Sequence, residues 1–204
     1  MQPPPGEAND EELVERCQRG DDAAFEILYR RYQRPIMAYI YQITRNYDDS
    51  ACIAQDVFMR VYEHVDRFDL ARRFSTWFYT IARNAAIDYL QSRGRRVMAS
   101  FTDLDREDEG GSIADQASAP GEPVERRLAR AESTAELAKA LDDLPQIYRE
   151  IIELIIFQER TYDEASAILG GVSQGTLRSR MFHALRRMRT SLERVGGTQG
   201  ENFV

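Results

Sequence analysis

An all-α chain of two small helical domains joined by a flexible acidic linker is what this sequence predicts, and three observations predict it. Apolar residues recur at steps of three and four along most of the chain, the period of a helix with one buried face. At 204 residues there is room for two domains that each bury a core. Between them the chain is acidic, with 10 acidic against 4 basic side chains over 99–136, and its stretch 99–122 holds Gly110-Gly111 and Pro120 with few apolar residues, the composition of a linker.

In chain order, Met1 to Asp10 is polar and Pro-rich and is expected to be disordered. The N-terminal domain is expected over 11–98. Glu11 to Arg19 carries Leu13, Val14 and Cys17, and Gly20-Asp21 stops it. Ala23 to Arg45 repeats apolar residues from Ala24 to Ile43, with Pro35 expected to break or kink the helix. Ser50 to Val65 is amphipathic, with Ile53, Val57, Val61 and Val65 on one face. From Arg72, Ser75 is placed to cap a helix running to about Arg93, in which Trp77, Ile81 and Leu90 fall near helical spacing for the core. Aromatic groups, arginines and Asn84 interleave there. That combination stacks on and hydrogen-bonds unpaired bases in single-strand binders.

After a linker over 99–122, a second domain is expected over 123–195 and a tail over 196–204. Val124 to Asp142 resumes helix, Pro145 suits the first turn of the next, and Ile147 to Phe157 is strongly apolar. Thr161 and Glu164 form a capping box, Ala165, Ile168 and Leu169 supply an apolar stripe, and Gly170-Gly171 ends that helix. Ser173 can cap a second helix with Leu177, Met181, Ala184, Leu185, Met188 and Leu192 inward. This is a helix-turn-helix. From Thr176 to Arg189 it carries five arginines and no acid, which suits a major groove. With Met181, Leu185 and Met188 facing the core, Arg178, Ser179, Phe182 and His183 are the expected base readers. Arg180, Arg186 and Arg187 fall on phosphates, with Thr176 beside them.

The net charge of −7 is concentrated in the middle, since 11–98 holds 14 basic and 13 acidic residues and 137–204 holds 9 of each. Two cysteines, Cys17 and Cys52, and two histidines give neither a disulfide framework nor a metal site, and no cofactor is expected. No apolar run is long enough to span a bilayer, and the start lacks a signal-peptide core, so a cytoplasmic protein is expected. A Gly-rich phosphate loop, a nucleophile elbow and a paired-carboxylate motif are all lacking, so no enzyme is expected.

The run Phe74-Ser-Thr-Trp-Phe-Tyr-Thr-Ile-Ala-Arg-Asn84, then Leu144-Pro with Arg149-Glu150, then Thr161 to Leu169 and Gly175 to Arg180 resembles, in residue and order, a bacterial sigma factor of the extracytoplasmic-function type. The resemblance spans about Glu11 to Arg194. It implies an alternative sigma factor that binds core RNA polymerase and promoter DNA. The N-terminal domain would melt the minus-ten element through Arg72, Arg73, Phe74, Trp77, Asn84 and Asp88, and the helix-turn-helix would read the minus-thirty-five element. A polymerase-binding set follows from the same resemblance: Asp49, Ser50, Ala51, Cys52, Gln55, Asp56, Phe58, Arg60 and Tyr62. An anti-sigma factor is a further partner the family can take.

Two positions depart from the family pattern. Relatives carry an Asp-Ala-Glu-Asp-like run where this chain has Asp49-Ser50-Ala51-Cys52, and Arg where it has His183. In a subgroup lacking that acidic patch, phosphorylation by a Ser/Thr kinase supplies the charge, which makes Ser50 the candidate hydroxyl. The alternative is that Asp48, Asp49 and Asp56 suffice. A free-standing helix-turn-helix regulator remains the second reading, and it leaves Arg72 to Arg96 without a role.

Overall fold

The computed structural model describes residues 8–99 and 135–197, with only the backbone described for 94–99 and 194–197. Among them the secondary structure is entirely helical. Helices α1 (Asp10–Gln18), α2 (Asp22–Thr44), α3 (Tyr47–His64) and α4 (Phe74–Ala99) form the N-terminal domain. Helices α5 (135–142), α6 (Gln146–Ile152), α7 (Tyr162–Ile168) and α8 (Gln174–Gly197) form the second. Residues 1–7, 100–134 and 198–204, which hold most of the expected tails and linker and the expected helix before residue 135, lie outside the described residues; the expectation of disorder through Asp10 is corrected at its end, where Asn9 caps α1 and Asp10 opens it.

Short polar side chains start these helices by satisfying backbone N–H groups that the first turn leaves free. Asn9 closes a capping box with Glu12, Asp21 accepts from Ala23 and Ala24, and Asn46 accepts from Asp49. The third cap corrects the expected start of α3. The helix begins at Tyr47, so Ser50 lies inside it and not at its entrance. Nor does Ser75 cap α4, which starts at Phe74; Ser75 is buried and its Oγ accepts a hydrogen bond from Arg160. Pro35 does not break α2, which runs unbroken through it. A proline removes one ladder hydrogen bond, and here seven buried residues from Ala24 to Ile43 hold both halves on the core.

The N-terminal core is aromatic. Tyr32, Phe68, Phe74, Phe78 and Tyr79 pack edge to face or tilted, with ring centroids 5.1–6.5 Å apart where they meet each other and Phe58. In the second domain Ile151, Ile152 and Leu154 sit under Ala165, Ile168, Leu177, Met181 and Ala184. The α6 helix continues as a π-turn over Glu153–Phe157. It packs against α8 on one side and α2 on the other, while α7 rests on α4, so the two domains share one continuous core.

Candidate nucleic-acid interface

The helix-turn-helix is built as its residues require. Thr161 Oγ1 accepts from the Glu164 backbone and the Glu164 carboxylate accepts from Thr161 N–H, completing the capping box. Burial works against the Glu164 carboxylate, but these bonds with Arg160 and Arg73 nearby hold it below the ordinary glutamate range. Gly170 and Gly171 both take positive φ, +79° and +82°, which an L side chain rarely adopts, and Gly171 N–H closes onto Ser166 at 2.8 Å. Ser173 Oγ then accepts from Thr176 N–H at 3.2 Å to start α8, and Gln174 donates to Asp163 to tie the two helices together.

On α8 the buried stripe is Leu177, Met181 and Ala184, with Met188 partly covered. Leu185, expected inward, is 47 % exposed, because the helix turns its 184 position into the core instead. Thr176, Arg178, Ser179, Phe182 and His183 share the open side, with Phe182 63 % exposed and its ring 5.6 Å from His183. The Arg178 guanidinium lies 5.2 Å over Tyr162 and donates to Gln174 at 3.1 Å. Arg180 is half-buried, and Arg187 stacks on Tyr148 at 5.4 Å. With His183 and Arg186 it lines a cleft of about 520 Å³ beside Asp143.

On α4 the expected minus-ten residues separate. Trp77, Asn84 and Asp88 recur on one helical face; Asn84 and Asp88 are exposed and Trp77 is half-buried against Phe68 and Phe74. Arg72 and Arg73 are exposed just ahead of the helix. Phe74 is not with them: it is wholly buried among Tyr32, Phe68 and Phe78, and an enclosed ring cannot stack on a base. The open groups meet α7 across a cleft of about 510 Å³ lined by Arg72, Arg73, Thr76, Trp77, Thr80, Asp163, Glu164 and Ala167.

The expected polymerase face lies on α3. Ala51 is half-buried, while Cys52, Gln55, Asp56, Arg60 and Tyr62 are exposed; Tyr62 packs on Phe25 and donates to Asp22. Phe58 belongs to the core, 7 % exposed against Phe78 and Tyr29. The Asp49 carboxylate accepts from both Tyr89 and Arg93 at 2.6 Å, so Asp48 and Asp56 are the open acids of this stretch. Ser50 is withdrawn as a phosphorylation site. Its side chain is fully buried, its hydroxyl donates to the Asn46 carbonyl at 2.5 Å and meets Thr44 Oγ1 at 2.7 Å, so a kinase has no access to it in this fold.

Sequence reasoning missed the α2 half of this face and the polar seam between domains. Tyr29, Gln33, Arg34 and Met37 line a groove of about 180 Å³ with Ala51, Ala54, Gln55 and Phe58. The seam holds Arg83 with Glu150 at 2.9 Å, Tyr79 with Gln158 at 2.6 Å, and Arg160 with Ser75 at 2.8 Å. Two glutamates, Glu150 and Glu153, inside an apolar run were the signal for the second of these.

Family models for sigma-70 region 2 and sigma-70 region 4 match residues 28–96 and 134–188. The chain is 34 % identical over 175 residues to the RNA polymerase sigma-H factor of Pseudomonas aeruginosa, covering 86 % of this chain and 89 % of that one. It is 33 % identical over 177 residues to the ECF RNA polymerase sigma-E factor of Escherichia coli K12, covering 86 % and 90 %. Among solved structures, the sigma factor RpoE of Bartonella quintana, in complex with the anti-sigma factor NepR, is similar at TM-score 0.64 and 25 % identity, covering 83 % and 96 %. CnrH, solved with the cytosolic domain of CnrY, shares the fold at TM-score 0.61 and 23 % identity, covering 90 % and 97 %. The chain belongs to the sigma-70 family, as an alternative RNA polymerase sigma factor of the extracytoplasmic-function type that directs promoter-specific transcription initiation.

Proposed function

We propose that this sigma factor divides its work among three surfaces. The open side of α8 reads the duplex minus-thirty-five element, with Arg178, Ser179, Phe182 and His183 toward base edges and Arg186 toward phosphate. The exposed face of α4 takes unpaired minus-ten bases, Trp77 offering a ring edge, Asn84 both a donor and an acceptor, and Arg72 and Arg73 the charge that holds the backbone. The α2–α3 groove, flanked by Asp48, Asp56 and exposed Tyr29, Met59 and Tyr62, receives core RNA polymerase. It acts in the cytoplasm as a binding protein, without a reaction of its own. An inhibitory partner of the anti-sigma class, as in the similar solved complex, would compete for these surfaces.

The observation that carries this reading is the placement of Arg72, Arg73, Trp77 and Asn84 on one open end and face of α4, in the same chain as an arginine-rich helix-turn-helix. Asn84→Ala tests it. The variant should hold core polymerase as the parent does, yet fail to open promoter duplex, read as permanganate reactivity of unpaired thymines. Loss of polymerase binding with melting retained would move the surface elsewhere.

A further inference from the structure

We propose that Glu11 and Gln18 of α1 are positioning residues for promoter opening, because they fasten both ends of the turn that carries Arg72 and Arg73 to the start of α4. The inference rests on the minus-ten assignment of those arginines made above. It begins from a helix that no neighbouring side chain caps. α4 starts at Phe74, and the Ser75 hydroxyl accepts from Arg160 instead of closing the first turn. The Phe74 N–H, which the helix leaves without a partner, is met by the Glu11 carboxylate at 3.2 Å, from 63 residues away in the chain. That carboxylate also stands at the positive end of a 26-residue helix, where negative charge is favoured.

At the other end of the turn the Gln18 side-chain amide donates to two backbone carbonyls, Val65 at 2.9 Å and Phe68 at 2.8 Å. Between the two fastenings Val65 and Phe68 are buried, while Asp69 to Arg73 lie open, so packing fixes the near end of the turn and Glu11 fixes its exit. Asp69 tightens the open part locally. Its carboxylate accepts from Ala71 N–H at 3.0 Å and its carbonyl from Arg72 N–H at 2.9 Å. α1 can act as the fixed bar because it is anchored itself: Leu13 and Val14 are fully buried, and the Asp10 carboxylate accepts from Arg31 and Tyr32 of α2. A turn held at both ends presents its guanidiniums in one place. Apparent affinity for an unpaired strand falls by the fraction of time they are elsewhere, so neither Glu11 nor Gln18 needs to touch DNA to matter.

Glu11→Ala, Glu11→Gln and the pair Arg72→Ala with Arg73→Ala are compared in the full chain. Each is measured for binding to core RNA polymerase and for opening of a promoter that the parent opens, read as permanganate reactivity. Glu11→Ala should hold polymerase as the parent does and open the promoter about fivefold less, the scale of one lost helix cap. Glu11→Gln keeps an acceptor oxygen and should restore most of the opening. Added to the double-arginine variant, Glu11→Ala should cause little further loss, because the side chains it places are already gone. Unchanged opening in Glu11→Ala, an equal loss of polymerase binding and opening, no rescue by Glu11→Gln, or a full further loss in the double-arginine background would overturn the positioning role and leave the minus-ten assignment standing. Normal opening by the double-arginine variant itself would overturn that assignment, and this inference with it. If Glu11→Ala does not fold, Gln18→Ala unfastens the turn at its other end and is read in the same way.

Discussion

Arg178 is held ready before DNA arrives, its guanidinium laid over Tyr162 and bonded to Gln174 on the open side of α8. A guanidinium so fixed loses little freedom on bridging a guanine edge. Arg178→Ala should cost about 1–3 kcal/mol on the preferred upstream element and relax specificity at one base pair. Competition binding against single-base variants of that element measures it, and an equal loss on every sequence would assign Arg178 to phosphate. Phe74 makes the opposite point. Enclosed by Tyr32, Phe68 and Phe78, it is a packing residue, and Phe74→Ala should cost roughly 3–5 kcal/mol of stability in denaturant unfolding. The spacing of Phe74 and Trp77 could not tell a stacking ring from a core ring, because both lie on the aromatic side of α4. Only the partners brought in from α2 and the Phe68 turn decide between them.

At the scale of elements, helical period was legible and helix entrances were not. The stripes of α2 and α3 fall where the apolar residues put them, and that of α8 does so except at exposed Leu185, whereas the helix start expected at Ser50 and the cap expected at Ser75 both lie inside their helices, because a hydroxyl near an apolar run is ambiguous by itself. The true cap of α3 is Asn46, four residues earlier, and that shift is what buries Ser50 in the second turn of the register. It also leaves Ala51 half-exposed on the α2–α3 groove, whose lining contains no acid. Ala51→Glu adds a carboxylate to that face close to the helix N-terminus, where negative charge is favoured. It should strengthen binding to core polymerase severalfold at low salt, with the gain fading as ionic strength rises. Equal affinity of parent and variant at low salt would separate this stretch from the polymerase contact. The turn of the helix-turn-helix was fully readable, since Gly170-Gly171 and the Thr161–Glu164 box are local signals. Gly170→Ala at φ +79° should cost about 1 kcal/mol or more in thermal unfolding.

At the scale of the whole molecule, both domains could be read from composition and motif order, but the seam between them could not. Its Arg83–Glu150 pair joins residues 67 apart, and no local pattern marks which glutamate meets which arginine. Glu153 shows the energetic cost of such burial. Desolvation raises its pKa above the ordinary glutamate value, with the Gln158 hydrogen bond acting against the shift. A carboxyl with a raised folded-state pKa holds its stabilising contribution at acid pH and loses it as pH climbs through the folded value. Glu153→Gln should therefore match the parent's melting temperature near pH 4 and exceed it by a growing margin toward neutrality. A constant difference across that range would mean that Glu153 titrates as an exposed acid does.

The central claim is that one chain reads upstream duplex with α8 and melted bases with α4 on behalf of core polymerase. In-vitro transcription with core RNA polymerase on a randomised promoter library tests it most directly, run with the parent chain, Arg178→Ala and Asn84→Ala. The parent should enrich promoters with two conserved blocks. Arg178→Ala should blur the upstream block alone, and Asn84→Ala should depress initiation from all of them without altering that block. Enrichment of a single block by the parent, or blurring of the downstream block by Arg178→Ala, would contradict the division of labour.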